Sequence, residues 1–109
     1  MKERVDAGDK MALMHLTIIP LGTGSASVGE YVAEIQVALQ ESGFSYTLTD
    51  MGTTIEGGSK ELLVLAAQLS ELPFKKGVQR VVTQISLDDR RDKKVELGDK
   101  IKSVARRLP

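Results

Sequence analysis

SVGEYVAEIQVALQESGFSYTLTDMGTTIEGG, residues 27–58, decides the fold. Ser27 followed three residues later by Glu30 is a capping-box pattern, in which hydroxyl and carboxylate satisfy the first free amides of a helix. Behind it Val28, Tyr31, Val32, Ile35, Ala38 and Leu39 recur at helical spacing and form one apolar stripe. Gly43 stands where a left-handed C-terminal cap is expected, so the spacing predicts a helix over about 28–42. The period then changes to two. Phe44, Tyr46 and Leu48 alternate with Ser45, Thr47 and Thr49, the pattern of a half-buried strand over 44–51. A turn at Asp50–Gly52 leads to a short partner strand, Thr53–Glu56, which Gly57–Gly58 ends.

Upstream, Met11–Leu21 is long enough for one strand, with Met14, Leu16 and Ile18 on its apolar side. His15, Thr17 and Ile19 stand on the mixed side, and Pro20 with Gly22 closes the element. Downstream, Ser59 is placed to cap a second helix whose buried stripe is expected at Leu62, Leu63, Ala66, Leu69 and Leu72, with Pro73 as its stop. Val78–Asp88, rich in Val, Ile and Thr, reads as a fourth strand. Its Val81, Ile85 and Leu87 lie opposite Arg80, Val82, Gln84 and Ser86. A last helix is expected over roughly 95–107, its stripe being Leu97, Ile101, Val104, Ala105 and Leu108. The order β-α-β-β-α-β plus a C-terminal helix is the ferredoxin-like α+β plan, a four-stranded antiparallel sheet with two helices on one face.

Composition bounds the function. The chain has 109 residues, which is one domain, expected over 11–109. Residues 1–10 are expected to be a disordered extension; they are mostly polar and lack the apolar stretch of a signal peptide. Fifteen basic and fifteen acidic residues cancel, so no bulk field draws the protein to nucleic acid or to an anionic membrane. No apolar run approaches the ~20 residues of a membrane span. A cytoplasmic location is therefore expected. With no Cys and one His, thiolate chemistry and His-rich metal sites are absent. No nucleophile–base–orienter set can be assembled, so a binder is expected rather than an enzyme.

The sheet face without helices should carry His15, Thr17, Ile19, Ser45, Thr47, Thr49, Arg80, Val82, Gln84 and Ser86. This mixture suits either a solvated face or one packed on a second copy through a partly wet interface. Phe44 and Tyr46 fall on the helix side, so the open face lacks the stacking aromatics of an RNA-binding sheet. His15 reads as an interface histidine rather than a catalytic one. Pro20–Ser25 has glycines and hydroxyls before a helix but neither the lysine nor the spacing of a phosphate-binding loop. Glu56, between glycine turns, offers a carboxylate to an amine or a cation, or is simply solvated in a hairpin. Asp88-Asp89-Arg90-Arg91-Asp92 is either a solvated turn or a cluster that forks across a subunit boundary. No metal ligand set is seen.

Six motifs taken together are distinctive: P-L-G-T-G-S (20–25), S-V-x-E-Y-V-A (27–33), S-G-F-x-Y (42–46), M-G-T-T-I-E-G (51–57), G-V-x-R-V-V-T (77–83) and D-D-R-R-D-K (88–93). From Met11 to about Val104 the chain resembles the small thiamine-binding protein family of bacteria, archaea and fungi, related to the YkoF-like binders of thiamine and hydroxymethylpyrimidine. The resemblance implies a ferredoxin-like fold, a dimer-of-dimers homotetramer, no cofactor, no catalysis, and binding of thiamine or its hydroxymethylpyrimidine precursor. One departure stands out: where the family commonly has a His-Glu pair before the fourth strand, this chain has Ser70-Glu71. Thiamine joins a cationic thiazolium to an aminopyrimidine. Glu56, Asp88 and Tyr46 are candidates for the cation, and Thr or Ser hydroxyls for the pyrimidine edge. The expected binding set is Thr23, Ser27, Thr53, Thr54, Glu56, Asp88 and Arg90, at a strand-end or subunit-interface pocket. The alternative is an oligomeric regulatory or interaction protein that binds anions or a protein partner through the Arg90/Arg91 region.

Overall fold

A computed structural model of the chain describes residues 11–25 and 28–109. The expected extension over 1–10 and the expected cap Ser27 lie outside the described residues. The elements run β1 (Ala12–Leu21), α1 (Gly29–Ser42), β2 (Ser45–Thr49), β3 (Gly52–Gly57), α2 (Ser59–Lys75), β4 (Arg80–Asp89) and α3 (Asp99–Ala105). The strands form one antiparallel sheet in the order β2-β3-β1-β4. This is the ferredoxin-like arrangement that the change of period within 27–58 points to.

β1 lies at the centre and alternates strictly. Ala12, Met14, Leu16 and Ile18 are buried, while His15, Thr17 and Ile19 stay half-buried on the opposite face. Leu16 stands opposite Thr53 on β3 and Ile85 on β4. Under the helices the core joins these β1 residues to Ile35 and Leu39 of α1, Phe44, Ile55 of β3, and Leu62, Leu65, Ala66 and Leu69 of α2. Each Leu, Ile, Met or Phe among them contributes roughly 1.5–3 kcal/mol when fully buried. Gly57 admits this packing, because a Cβ there would lie 2.8 Å from the Phe44 ring and 3.1 Å from Leu62.

Several expectations shift. Val28 is the N-terminal boundary residue of α1 and makes no side-chain cap. The carboxylate of Glu30 accepts from Lys76, 2.9 Å away, and Glu34 is 3.0 Å from the same ammonium. These two hydrogen-bonded carboxylates raise the Lys76 pKa above the ordinary lysine value and tie the start of α1 to the end of α2. Gly43 does close α1 in the left-handed region, with φ of 83°. β2 begins at Ser45 rather than Phe44, and β4 at Arg80 rather than Val78.

In α2 the boundary residue is Gly58, so Ser59 is the first helical residue rather than the cap. The buried positions are Leu62, Leu65, Ala66, Leu69 and Pro73, while Leu63 is exposed. A Leu-Leu-Val-Leu run leaves the phase of a stripe ambiguous, and in the folded chain the shared core takes Leu65 while Leu63 stays exposed. Pro73 does not stop the helix, which continues to Lys75. Proline removes one amide donor, and the end is closed by Lys76 N–H to the Pro73 carbonyl and Gly77 N–H to the Phe74 carbonyl, both 3.0 Å. On β4 Val81 packs against the core, but Ile85 and Leu87 remain exposed although they share its face. The last helix is shorter than expected because Gly98 turns the chain at φ of 92° just before Asp99. Leu97 of the expected stripe is half-buried, whereas Ile101 is 76% exposed and Leu108 65%.

Candidate functional site

The N-terminal half of α1, the second half of β1 and the β2–β3 turn enclose a cavity of about 250 Å³. Leu16, Ile18, Val28, Val32 and Ile35 give it apolar walls, and the exposed side chains of Leu48 and Met51 form part of its rim. Asp50 is the one ionisable residue in its described lining. At the inner end Gln36 reaches from α1 to Thr53 on β3, its Nε2 donating to Oγ1 at 3.2 Å. The other end of the amide, Oε1, is buried and has no partner among the described residues. Exchanging the two ends leaves the same result, since one end bonds the hydroxyl and the other lies unpaired. A buried polar atom without a partner costs about 1–3 kcal/mol.

The turn that rims the cavity is held by its own hydroxyls. Thr49 Oγ1 donates to the Gly52 carbonyl at 3.1 Å and accepts from Met51 N–H at 3.2 Å. Thr17 Oγ1 donates to the Met51 carbonyl at 3.4 Å. Gly52 has φ of 151°, and a Cβ there would meet the His15 ring at 2.7 Å, so the open-face imidazole fills the space that glycine vacates.

The residues expected at the site do not converge. Thr53 lines the cavity, whereas Thr54 and Glu56 project from the opposite face of β3. Glu56 and Asp88 flank Leu13 from its two sides, one strand apart from it each, at the other end of the sheet. There Glu56 Oε2 accepts from Leu97 N–H at 2.9 Å and Asp88 Oδ2 from Lys100 Nζ at 3.0 Å, which moors the segment leading into α3. Thr23 is engaged within its own turn, donating to the Ser25 carbonyl at 3.0 Å. Tyr46 packs against the helix-side core.

Arg90 closes on Asp92 with contacts of 2.6 and 3.0 Å, and Arg91 on Asp89 with 3.3 and 2.9 Å. These guanidiniums hold the carboxyls of Asp92 and Asp89 below the usual aspartate range. The two arginines are thus already forked onto carboxylates of their own chain. Gln36, Asp50, Leu48 and Met51 were not in the expected set. The available signal was a polar residue inside an apolar stripe, because Gln36 follows Val32 by four residues and Ile35 by one.

Among the described residues no helix is long and apolar enough to cross a membrane. The chain is 46% identical over 102 residues to the UPF0045 protein YqgV of Bacillus subtilis, covering 90% of this chain and 98% of that one. A UPF0045 protein of Staphylococcus xylosus is 44% identical over 102 residues, with 90% and 95% covered. Among solved structures, a hypothetical protein of Methanocaldococcus jannaschii superposes with a TM-score of 0.78 at 29% identity, covering 88% of this chain and 97% of that chain. A Thermotoga maritima protein with a suggested role in thiamine biosynthesis or salvage shares the fold, with a TM-score of 0.73 at 16% identity over 86% and 98% of the two chains. The model of the family described as "Thiamine-binding protein" matches residues 14–105 of the 109, and the chain belongs to that family.

Proposed function

We propose that the chain binds thiamine or its hydroxymethylpyrimidine precursor without transforming it, as a cytoplasmic carrier or sensor, and that the ligand enters the cavity between α1 and the β2–β3 turn. The observation that carries this reading is the unpaired end of the Gln36 amide, buried beside Thr53 at a pocket whose walls are mainly apolar. An aminopyrimidine edge presents an amine donor beside a ring-nitrogen acceptor, so it satisfies either end of that amide. The walls supply the apolar contact that an aromatic ring needs, and Met51 sulfur is suited to lie against it. Asp50 at the rim matches the cationic thiazolium, which would remain near solvent. A single carboxylate, without an acid–base partner in the lining, supports binding rather than turnover.

Of the expected residues this reading keeps Thr53 and gives Glu56 and Asp88 a role in mooring α3. The half-buried open face, with His15, Thr17 and Ile19 on β1 and Thr54 on β3, suits sheet-on-sheet packing. The assembly proposed is a homotetramer built as a dimer of dimers. Native mass spectra of the protein titrated with thiamine and with hydroxymethylpyrimidine test both parts. A tetramer that gains up to one ligand mass per subunit is expected. A protein that takes up neither compound would overturn the vitamin reading, and a monomer that does so would overturn the assembly.

A further inference from the structure

The chain is neutral as a whole but not along its length. Residues 90–107 hold eight of the fifteen basic residues and only three acidic ones, Asp92, Glu96 and Asp99. The fold gathers this excess into a cleft of about 380 Å³ between the turn after β4 and α3. Arg90, Lys93, Lys94, Lys100, Lys102 and Arg106 line it. Two of the six are neutralised, Arg90 by Asp92 and Lys100 by Asp88. Lys93, Lys94, Lys102 and Arg106 have no ion pair among the described residues. The one carboxylate in the lining, Asp99, is turned back to its own chain, where Oδ2 accepts from Glu96 N–H at 2.7 Å.

α3 is oriented so that this charge faces the cleft. Lys102 and Arg106 are one turn apart and line it, whereas Ile101 and Val104 stand out in solvent. Lys93 and Lys94 come from the turn on the other side. Cations from two elements therefore converge on one concavity, and with only Lys93 acting at a distance on a carboxylate, that of Asp92, the like charges repel one another.

We infer that this cleft is a second binding site, separate from the Gln36 cavity, for a soluble small molecule carrying a diphosphate or similar multiply charged phosphate group. Four unpaired cations call for more than one negative charge, and a concave site on two elements suits a compact anion. A nucleic-acid strand fits less well, because the chain's four aromatic residues, Tyr31, Phe44, Tyr46 and Phe74, all lie before this segment and offer no stacking beside it. The Gln36 cavity, with the carboxylate of Asp50 as the one charge in its described lining, is not suited to the same group. The inference does not depend on vitamin binding.

Isothermal titration with inorganic pyrophosphate tests it on the intact protein. Saturable binding is expected at ~0.01 M ionic strength, weakening about tenfold by ~0.15 M as the screening length falls from ~30 to ~8 Å. Lys102→Gln combined with Arg106→Gln should lose at least about tenfold in affinity while the circular dichroism spectrum is unchanged. Arg91→Gln, outside the cleft, should bind as the parent does. No saturable binding at low ionic strength, or full affinity in the double variant, would overturn the assignment. Retention on phosphatidylglycerol vesicles that pyrophosphate does not displace would also overturn it, giving the cations to a lipid surface instead.

Discussion

Each of the two long helices lays a polar side chain against a threonine of the sheet, and the two contacts end differently. On α2, Ser70 Oγ lies 2.8 Å from the Ala66 carbonyl and 2.7 Å from Thr83 Oγ1. A hydroxyl has one donor and room to accept, so the pair is closed within the chain. On α1, Gln36 meets Thr53 in the same manner but brings a second polar atom that nothing in the described chain satisfies. The lesson is that a polar helix–strand contact can be read by its unused valence. The closed pair belongs to the fold, and the open one points to something the fold does not contain. Ser70 is also where the chain departs from the family's His-Glu pattern, and the structure gives it a purely internal partner.

The largest effect should come from breaking the frame beneath the Gln36 contact. Leu39 lies one turn beyond Ile35 on the inner face of α1 and is fully buried. Leu39→Ala should cost about 2–5 kcal/mol in denaturant unfolding. Gln36→Leu combined with Thr53→Val removes both polar partners at once. It should leave stability nearly unchanged and weaken vitamin binding by about 10–100-fold in a calorimetric titration. Ser70→Ala should do the reverse, lowering stability by about 1 kcal/mol with ligand affinity intact. A Ser70→Ala protein with impaired binding would break the distinction between the two contacts.

The smallest effect concerns the charged turn. Asp89 and Asp92 have depressed pKa values because Arg91 and Arg90, respectively, hydrogen-bond their ionised forms. The stabilisation is therefore present above the unfolded aspartate value of 3.8 and is lost as pH falls through the lower folded values. An NMR titration should place Asp89 below 3.8, and Arg91→Gln should return it towards that value.

The fold was legible because its signals are local. The stripe through Ile35 and Leu39, the alternation from Phe44 and the left-handed Gly43 each depend only on neighbours in sequence. Leu63 reads as a core residue because successive leucines leave helical phase undetermined until the sheet is in place. Pro73 reads as a stop because a proline's lost hydrogen bond is local, whereas its burial is not. The site was less legible for a related reason. Strand register sends Thr53 and Thr54 to opposite faces and carries Glu56 roughly 10 Å from Thr53 along β3, so residues close in one motif separate in space. Thr53 was found by its motif, but Gln36 was hidden inside a stripe read only for its apolar members.

If the ligand's pyrimidine edge completes the unpaired amide of Gln36, that side chain must sense binding directly. The most direct measurement follows the Gln36 side-chain NH2 resonances during titration with hydroxymethylpyrimidine. They should shift and saturate together with the amides of Thr53 and Met51, while Leu97 beside Glu56 stays still. Saturable binding that moves Leu97 and leaves Gln36 unmoved would contradict it.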